Sequence, residues 1–206
     1  MTETILTPSD FTAPTVFTQA ELDWLPWLQP MAEVDLTERH WTALVDRGRA
    51  KSGYFMLLAR DPDILEARTR TDKDIFYNPN AGLPRAEREL SAAATSRSNG
   101  CIYCASVHAR CASHSSKRGD EVQRLLDDGV DADLDPRWNA IVAASVALTE
   151  TPGRFGADEI ARLREQGLDD LAISDVIHGA AFFNWANRLM LTLGEPAVKT
   201  TKEEIS

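Results

Sequence analysis

Helix start and stop signals recur along almost the whole sequence, and no segment alternates apolar and polar residues as a half-buried strand would. Asp61-Pro62 and Asp135-Pro136 each place a capping side chain before a proline suited to the first helical position. Gly119 and Gly167 stand where helices would stop. These signals predict an all-α fold with short loops. The predicted helices span residues 38–49, 51–58, 63–76, 85–97, 101–117, 120–126, 137–148, 158–165 and 169–193.

The first part of the chain looks like a helical N-terminal extension over residues 1–50, followed by one helical domain over residues 51–206. In the extension, Thr18 and Glu21 form the pattern of a capping box. It predicts a short helix from there to Leu28, and a proline inside that segment shortens or kinks it. The aromatic residues of the extension favour its docking on the domain or on a neighbouring subunit.

A weak internal similarity runs through the helical domain. Residues 89–94 resemble residues 139–144, and helices follow both segments. The similarity indicates two related helical units, with cysteines kept only in the first copy.

The excess of acidic residues restricts the classes of partner that the chain can bind. Its 206 residues carry a formal net charge of −10, with a pI near 4.9. An acidic surface disfavours nucleic acid and anionic membrane as partners, so we expect a small substrate instead. We see no secretory signal and no apolar stretch close to the roughly 20 residues of a membrane span, which predicts a cytoplasmic protein.

The most informative segment for chemistry is Cys101 to His108, in a predicted helix. A helix turns ~100° per residue, so Cys104 and His108 fall about 300° and 340° around the axis from Cys101, within one narrow stripe. Cysteines three apart in a first helical turn can close a disulfide, and the histidine lies one turn beyond the second sulfur. In a reducing compartment this spacing predicts a redox or metal site.

A reactive cysteine needs surroundings that favour its thiolate, and two sources are present. The helix N-terminus favours charge on Cys101, whereas His108 can take the proton of Cys104. These two effects leave open which sulfur attacks first. We favour Cys104, because an adjacent base can also protonate the leaving oxygen, and Cys101 would then resolve the sulfenic acid as a disulfide.

Glu89 is the fourth candidate site residue. It lies on the stripe of small apolar residues in the preceding predicted helix, whereas its neighbours Arg85, Glu87 and Arg88 are expected to face solvent. A carboxylate on a core-facing stripe needs a partner. The short turn at residues 98–100, whose polar side chains we expect to cap the next helix, would bring His108 or the second cysteine to it.

Glu89, eleven intervening residues, Cys101, Cys104 and His108 together resemble the signature of the AhpD-like alkylhydroperoxidases. These enzymes belong to the carboxymuconolactone decarboxylase family. The similarity extends over roughly residues 83–193 and therefore covers more than the motif.

The resemblance implies an all-α, homo-oligomeric peroxidase, a trimer or hexamer, that uses no haem, flavin or metal and is reduced by an external dithiol. It also implies that Cys104 is the peroxidatic cysteine and Cys101 the resolving one, with Glu89 and His108 as a proton relay. Tyr103 departs from the pattern, since some members carry histidine at its position.

Other interpretations of the same residues differ in kind. A zinc site using all four of Cys101, Cys104, His108 and Cys111 is excluded, because Cys111 lies about 15 Å along the axis from Cys101, too far for one ion. A metal bound by three of them together with another chain is left as an alternative. Cys111 is expected to pack as a small apolar residue. The alternatives to a peroxidase are a carboxymuconolactone decarboxylase-like enzyme, which would not need a dithiol, and a non-enzymatic redox sensor.

Overall fold

The computed structural model describes residues 5–199, which form nine α-helices, two 3₁₀ helices and one two-stranded antiparallel sheet. In chain order the elements are β1 (Leu22–Pro26), a 3₁₀ helix (Glu33–Asp35), α1 (Glu38–Leu44), a 3₁₀ helix (Arg47–Lys51), α2 (Gly53–Leu58), α3 (Pro62–Tyr77), α4 (Arg85–Ser98), α5 (Ile102–Ser116), α6 (Gly119–Asp127), α7 (Pro136–Thr149), α8 (Ala157–Glu165), α9 (Asp170–Leu193) and β2 (Gly194–Val198). The all-α prediction is confirmed. From α2 onward the helix ends lie within two residues of the predicted ones.

Side-chain caps fix the starts of α3 and α7 where the sequence predicts them. The Asp61 carboxylate accepts a hydrogen bond from the Ile64 amide at 3.1 Å. Asp135 accepts from the amides of Arg137 and Trp138 at 2.9 and 3.0 Å. Each cap satisfies amides that the first turn leaves without an intrahelical partner, so the helix begins where the sequence signal stands.

Helix α4 lies at the centre of the fold, where it packs against α5, α7 and α9. Every side chain from Glu87 to Ser96 is buried. The alanines in this stretch let neighbouring helices approach closely, and Ser91 hydrogen-bonds Ser145 of α7 at 2.9 Å. Gly179 of α9 faces the same serine, since a Cβ there would lie 3.3 Å from its Oγ. The apolar core around α4 contains Leu90, Leu125, Leu126, Trp138, Ile141, Val142, Leu163, Ile173 and Val176.

The N-terminal region differs from its prediction. Leu22 to Pro26 form a strand, not a helix, and pair with β2 so that Leu22 lies opposite Val198. The expected capping box is absent, because the Thr18 hydroxyl accepts from the Ala20 amide at 3.0 Å in a local turn. The short helix predicted here is therefore wrong, and with it the wholly helical extension.

Tertiary pairing explains the difference, since β2 offers a complementary edge that the local pattern of residues 18–28 does not reveal. A Cβ on Gly194 would lie 2.3 Å from the Leu25 carbonyl oxygen and 2.4 Å from the Trp24 ring. Only glycine allows this approach. The end of α9 is thereby joined to the N-terminal region.

Within residues 5–199, no helix is both long and apolar enough to cross a membrane.

Candidate active site

The turn between α4 and α5 presents the two motif cysteines. Gly100 adopts a positive φ of 77°, a conformation that glycine accommodates without strain, and Cys101 takes the N-cap position of α5. No side chain caps this helix, so the predicted capping by the turn residues is wrong. The side-chain amide of Asn99 instead donates to the side-chain oxygens of Asn184 and Asn187 of α9, at 3.1 Å each, and joins the turn to that helix.

Cys101 and Cys104 are both free and buried. Hydrogen bonds from the Cys104 thiol and, to a smaller extent, from the Cys104 backbone amide lower the pKa of Cys101 against the opposing effect of burial. Burial raises the pKa of Cys104 well above its ordinary value, and its neighbour raises it further. The two sulfurs therefore titrate as a pair, and the first thiolate forms on Cys101 with the Cys104 thiol as its donor.

Asn187 supports this pair from α9. Its side chain is fully buried, donates to the Ser96 hydroxyl at 3.0 Å, and accepts from Asn99. A hydrogen bond from the same amide lowers the pKa of both Cys101 and Cys104. Asn187 thus favours the thiolate form of both cysteines, and it is not among the four site residues predicted from the sequence.

Glu89 and His108 form the second part of the site. Oε2 of Glu89 lies 2.7 Å from Nδ1 of His108, and Oε1 accepts from Nε of Arg85 at 3.1 Å. An ionised carboxylate only accepts hydrogen bonds, so the histidine proton belongs on Nδ1 and Nε2 is left as a base. The imidazole ring packs between Phe183, at a centroid distance of 4.1 Å, and Phe76, at 5.1 Å.

The side chains around Glu89 correct one expectation. Glu87 and Arg88 do not face solvent, since they are only 8% and 6% exposed, and Arg85 lies half-buried beside Glu89. Glu87 pairs with Arg137 of α7, and Arg88 donates to the Ile75 carbonyl. Because neighbouring helices cover α4 on several sides, its charged residues find partners inside the fold.

A cavity of about 230 Å³ connects the two parts of the site. Cys104, His108 and Glu89 line it, whereas Cys101 is not in its wall among the residues that the structure describes. Within residues 5–199, the only hydrogen bond of the His108 side chain is the one to Glu89, so its Nε2 is free for a group bound in the cavity. Of the two paired sulfurs, it is therefore that of Cys104 which faces the cavity.

Tyr103 of the motif and Cys111, which follows it, also line the cavity. Burial raises the pKa of the Cys111 thiol and of the Tyr103 phenol, which keeps both groups protonated. Across residues 5–199, no three or more His, Cys, Asp or Glu side chains are grouped so as to hold a metal ion.

Residues 62–147, which include all four candidate site residues, match the model of the carboxymuconolactone decarboxylase family. This segment is therefore similar to that family over about two fifths of the chain. The resemblance seen in the motif is thereby confirmed. No curated protein matches the sequence.

Solved structures share the fold of this chain. An uncharacterized peroxidase-related protein from Ralstonia eutropha JMP134, described as an alkylhydroperoxidase AhpD core, superposes with a TM-score of 0.67 at 24% identity, over 82% of this chain and 89% of that one. A peroxidase-related protein from Silicibacter sp. TM1040 gives a TM-score of 0.67 at 20% identity, over 93% and 94%. The debrominase Bmp8 gives 0.64 at 16% identity, over 79% and 87%. The chain therefore has an AhpD-like helical fold.

Proposed function

We propose that the protein is a thiol peroxidase that reduces hydrogen peroxide or organic hydroperoxides with the Cys101 and Cys104 dithiol. The observation that carries this proposal is the cavity, because it holds an accessible sulfur with a second thiol beside it and a carboxylate-oriented histidine in the same wall. A decarboxylase would need an acid and a base but no dithiol.

The first step begins with the loss of one proton from the dithiol to Nε2 of His108, through a water or the bound peroxide. The resulting charge rests mainly on Cys101, and the proton of Cys104 shifts along the hydrogen bond between the sulfurs as Cys104 attacks. The Cys104 sulfur bonds to one peroxide oxygen and the O–O bond breaks. The departing alkoxide or hydroxide takes the proton from His108 and leaves as alcohol or water.

The second step resolves the sulfenic acid on Cys104. Cys101 gives its proton to His108 and attacks the Cys104 sulfur, so that an S–S bond forms and the S–O bond breaks. The hydroxide takes the proton and leaves as water. An external dithiol then reduces the disulfide by thiol exchange. Glu89 holds the imidazole in the same tautomer in both steps.

Peroxide turnover with dithiothreitol as reductant tests the proposal directly, with cumene hydroperoxide as substrate. Cys104→Ser should abolish turnover, whereas Cys101→Ser, treated with peroxide without dithiothreitol, should consume one equivalent and stop as a sulfenic acid that dimedone labels at Cys104. Cys111→Ser is the matched control and should turn over normally. Sustained turnover by Cys104→Ser would contradict the assignment of the attacking sulfur, and turnover by neither the wild type nor the control would contradict the function.

We extend the proposal to the setting of the protein. A peroxidase that returns to the dithiol form through an external dithiol suits the reducing cytoplasm. The expected assembly is a homo-oligomer, a trimer or hexamer. Size-exclusion chromatography with light scattering measures it, and a monomer at micromolar concentration would contradict it.

A further inference from the structure

Two side chains in the cavity wall carry buried polar atoms that have no hydrogen-bond partner among residues 5–199. Arg68 of α3 is 7% exposed and Tyr54 of α2 is 5% exposed. Within residues 5–199, neither Nε nor Nη1 of Arg68, nor the hydroxyl of Tyr54, makes a hydrogen bond. Burial raises the pKa of Tyr54 to about 12, so its phenol stays protonated and can donate. Buried donors without an acceptor are costly, which points to an acceptor supplied from outside the chain.

Aromatic rings hold the Arg68 guanidinium in place. Its central carbon lies 5.1 Å from the ring centre of Phe55, 5.3 Å from that of Phe182 and 5.8 Å from that of Tyr54. These contacts stabilise the cation but use none of its N–H groups. The group is therefore fixed in position while its donors remain available.

On this side of the cavity, the Arg68 cation has only a shared carboxylate as its ionic partner. Arg49 and Arg68 share a single carboxylate, that of Asp72, at 3.4 and 3.5 Å. The contact between Arg68 and Asp72 is an ion pair in which Nη1 of Arg68 donates no hydrogen bond. On the other side, Arg85 and Glu89 neutralise each other. An anionic group on a bound molecule would give the Arg68 guanidinium a hydrogen-bonded partner of its own.

The other residues of the cavity wall indicate the chemical character of the rest of the ligand. Phe76, Phe183 and Met190 supply apolar surface next to Cys104 and His108. A ligand that fills this space has an apolar body, an anionic oxygen group at Arg68 and a reactive group at the sulfur.

We infer that Arg68 and Tyr54 form a carboxylate subsite, and that the preferred substrate is an organic hydroperoxide carrying a carboxylate on an apolar body. This inference rests on the proposed peroxidase function. The Arg68 cation also favours the thiolate of Cys104, so its removal slows the reaction with every peroxide. A comparison of two substrates that differ only in charge cancels that common effect.

The kinetic test uses cumene hydroperoxide bearing a para-carboxylate, and its methyl ester as the uncharged control. The wild type should show a kcat/KM at least about 10-fold higher for the carboxylate. In Arg68→Met this ratio should fall to about one, in Arg68→Lys to an intermediate value, and in Tyr54→Phe by about threefold. A wild-type ratio near one, or a ratio unchanged in Arg68→Met, would overturn the subsite. If Arg68→Met does not fold, unchanged ratios in both Arg68→Lys and Tyr54→Phe overturn it.

A binding experiment separates this inference from the function on which it rests. Isothermal titration calorimetry of the reduced wild type with 4-isopropylbenzoate needs no turnover, and its methyl ester is the control. Binding of the carboxylate that is lost in Arg68→Met supports the subsite, even if no peroxide is consumed and the peroxidase function fails. Peroxide turnover without carboxylate binding or charge preference overturns the subsite and leaves the peroxidase function standing.

Discussion

Glu87 and Glu89 stand two positions apart on α4 and are both buried, yet their surroundings differ. Both oxygens of Glu87 accept from Arg137 at 2.8 Å, in a bidentate pair that joins α4 to α7. The oxygens of Glu89 are divided between Arg85 and His108, and the histidine faces a cavity. Burial alone therefore does not identify a functional carboxylate. A partner that can itself exchange protons, next to open space, distinguishes Glu89.

The same substitution at the two positions gives the largest expected contrast. Glu89→Gln should lower peroxide turnover about 100-fold, because the charge that orients and stabilises the imidazole is lost. Steady-state kcat with cumene hydroperoxide measures it, and circular dichroism checks the fold. If Glu89→Gln keeps wild-type turnover, Glu89 has no part in the relay.

Glu87→Gln should change stability instead. The Arg137 guanidinium would lose its charged partner, and since that side chain is about one-third exposed, water softens the loss to about 2 kcal/mol. Urea denaturation measures the free energy of unfolding of the reduced protein. Turnover per folded molecule should stay within about threefold of wild type, because the two sites do not share partners. A 100-fold loss of turnover in Glu87→Gln would contradict the difference between the two carboxylates.

The cysteine pair, which is the other half of the site, should lose its two protons in well-separated steps. Because the pKa of Cys101 lies below its ordinary value and that of Cys104 well above it, the reduced protein should gain one thiolate early in an alkaline titration and the second much later. Absorbance at 240 nm follows both steps. The disulfide form, which has neither thiolate, is the baseline.

The same titration gives a stability trend with a definite sign. As pH rises from the lowered pKa of Cys101 towards the ordinary cysteine value, the unfolded chain binds more protons than the folded one, so stability increases. Above the ordinary value the folded protein retains the Cys104 proton, and stability decreases. The disulfide form, which has neither thiolate, is the control. If the stability of the reduced protein relative to that control only rises or only falls across this range, the assignment of the two pKa shifts is wrong.

Asn187→Leu should move the first thiolate step to higher pH, because an amide donor to both sulfurs is lost. Turnover below the new midpoint should fall by about the same factor as the thiolate population. An unchanged first step in a folded variant would show that the amide does not stabilise the thiolate.

The smallest expected effect is that of Cys111→Ser. Cys111 lines the cavity, but burial raises its pKa and it is not the partner of either motif cysteine. Turnover should stay within about twofold of wild type. A larger loss would give the third thiol a redox role.

The sequence was sufficient to predict the helices from α2 onward and the proximity of Glu89 to His108, and the reason is local. Asp61 and Asp135 determine helix starts by their own hydrogen bonds, and the spacing of Cys101, Cys104 and His108 needs only helix geometry. The site prediction could go no further than residues that neighbour one another along a helix or across a short turn.

What the sequence could not predict depends on distant partners. The strand at Leu22 exists because β2 lies beside it, more than 170 positions away, and the local helix signal does not register that pairing. Arg68 and Tyr54 carry no motif and enter the cavity only through the packing of α2 and α3. Asn187 shares a face of α9 with other polar residues, and its effect on the pKa of the two thiols distinguishes it.

The central claim is that Cys101 and Cys104 form one redox pair that peroxide oxidises. Titration of the fully reduced protein with cumene hydroperoxide, followed by non-reducing peptide mapping, tests it most directly. We predict that one equivalent per chain is consumed, that one equivalent of cumyl alcohol appears, and that a single intramolecular disulfide joins Cys101 to Cys104 while Cys111 stays free. Recovery of both cysteines as thiols after excess peroxide, or a disulfide that includes Cys111, would contradict the account.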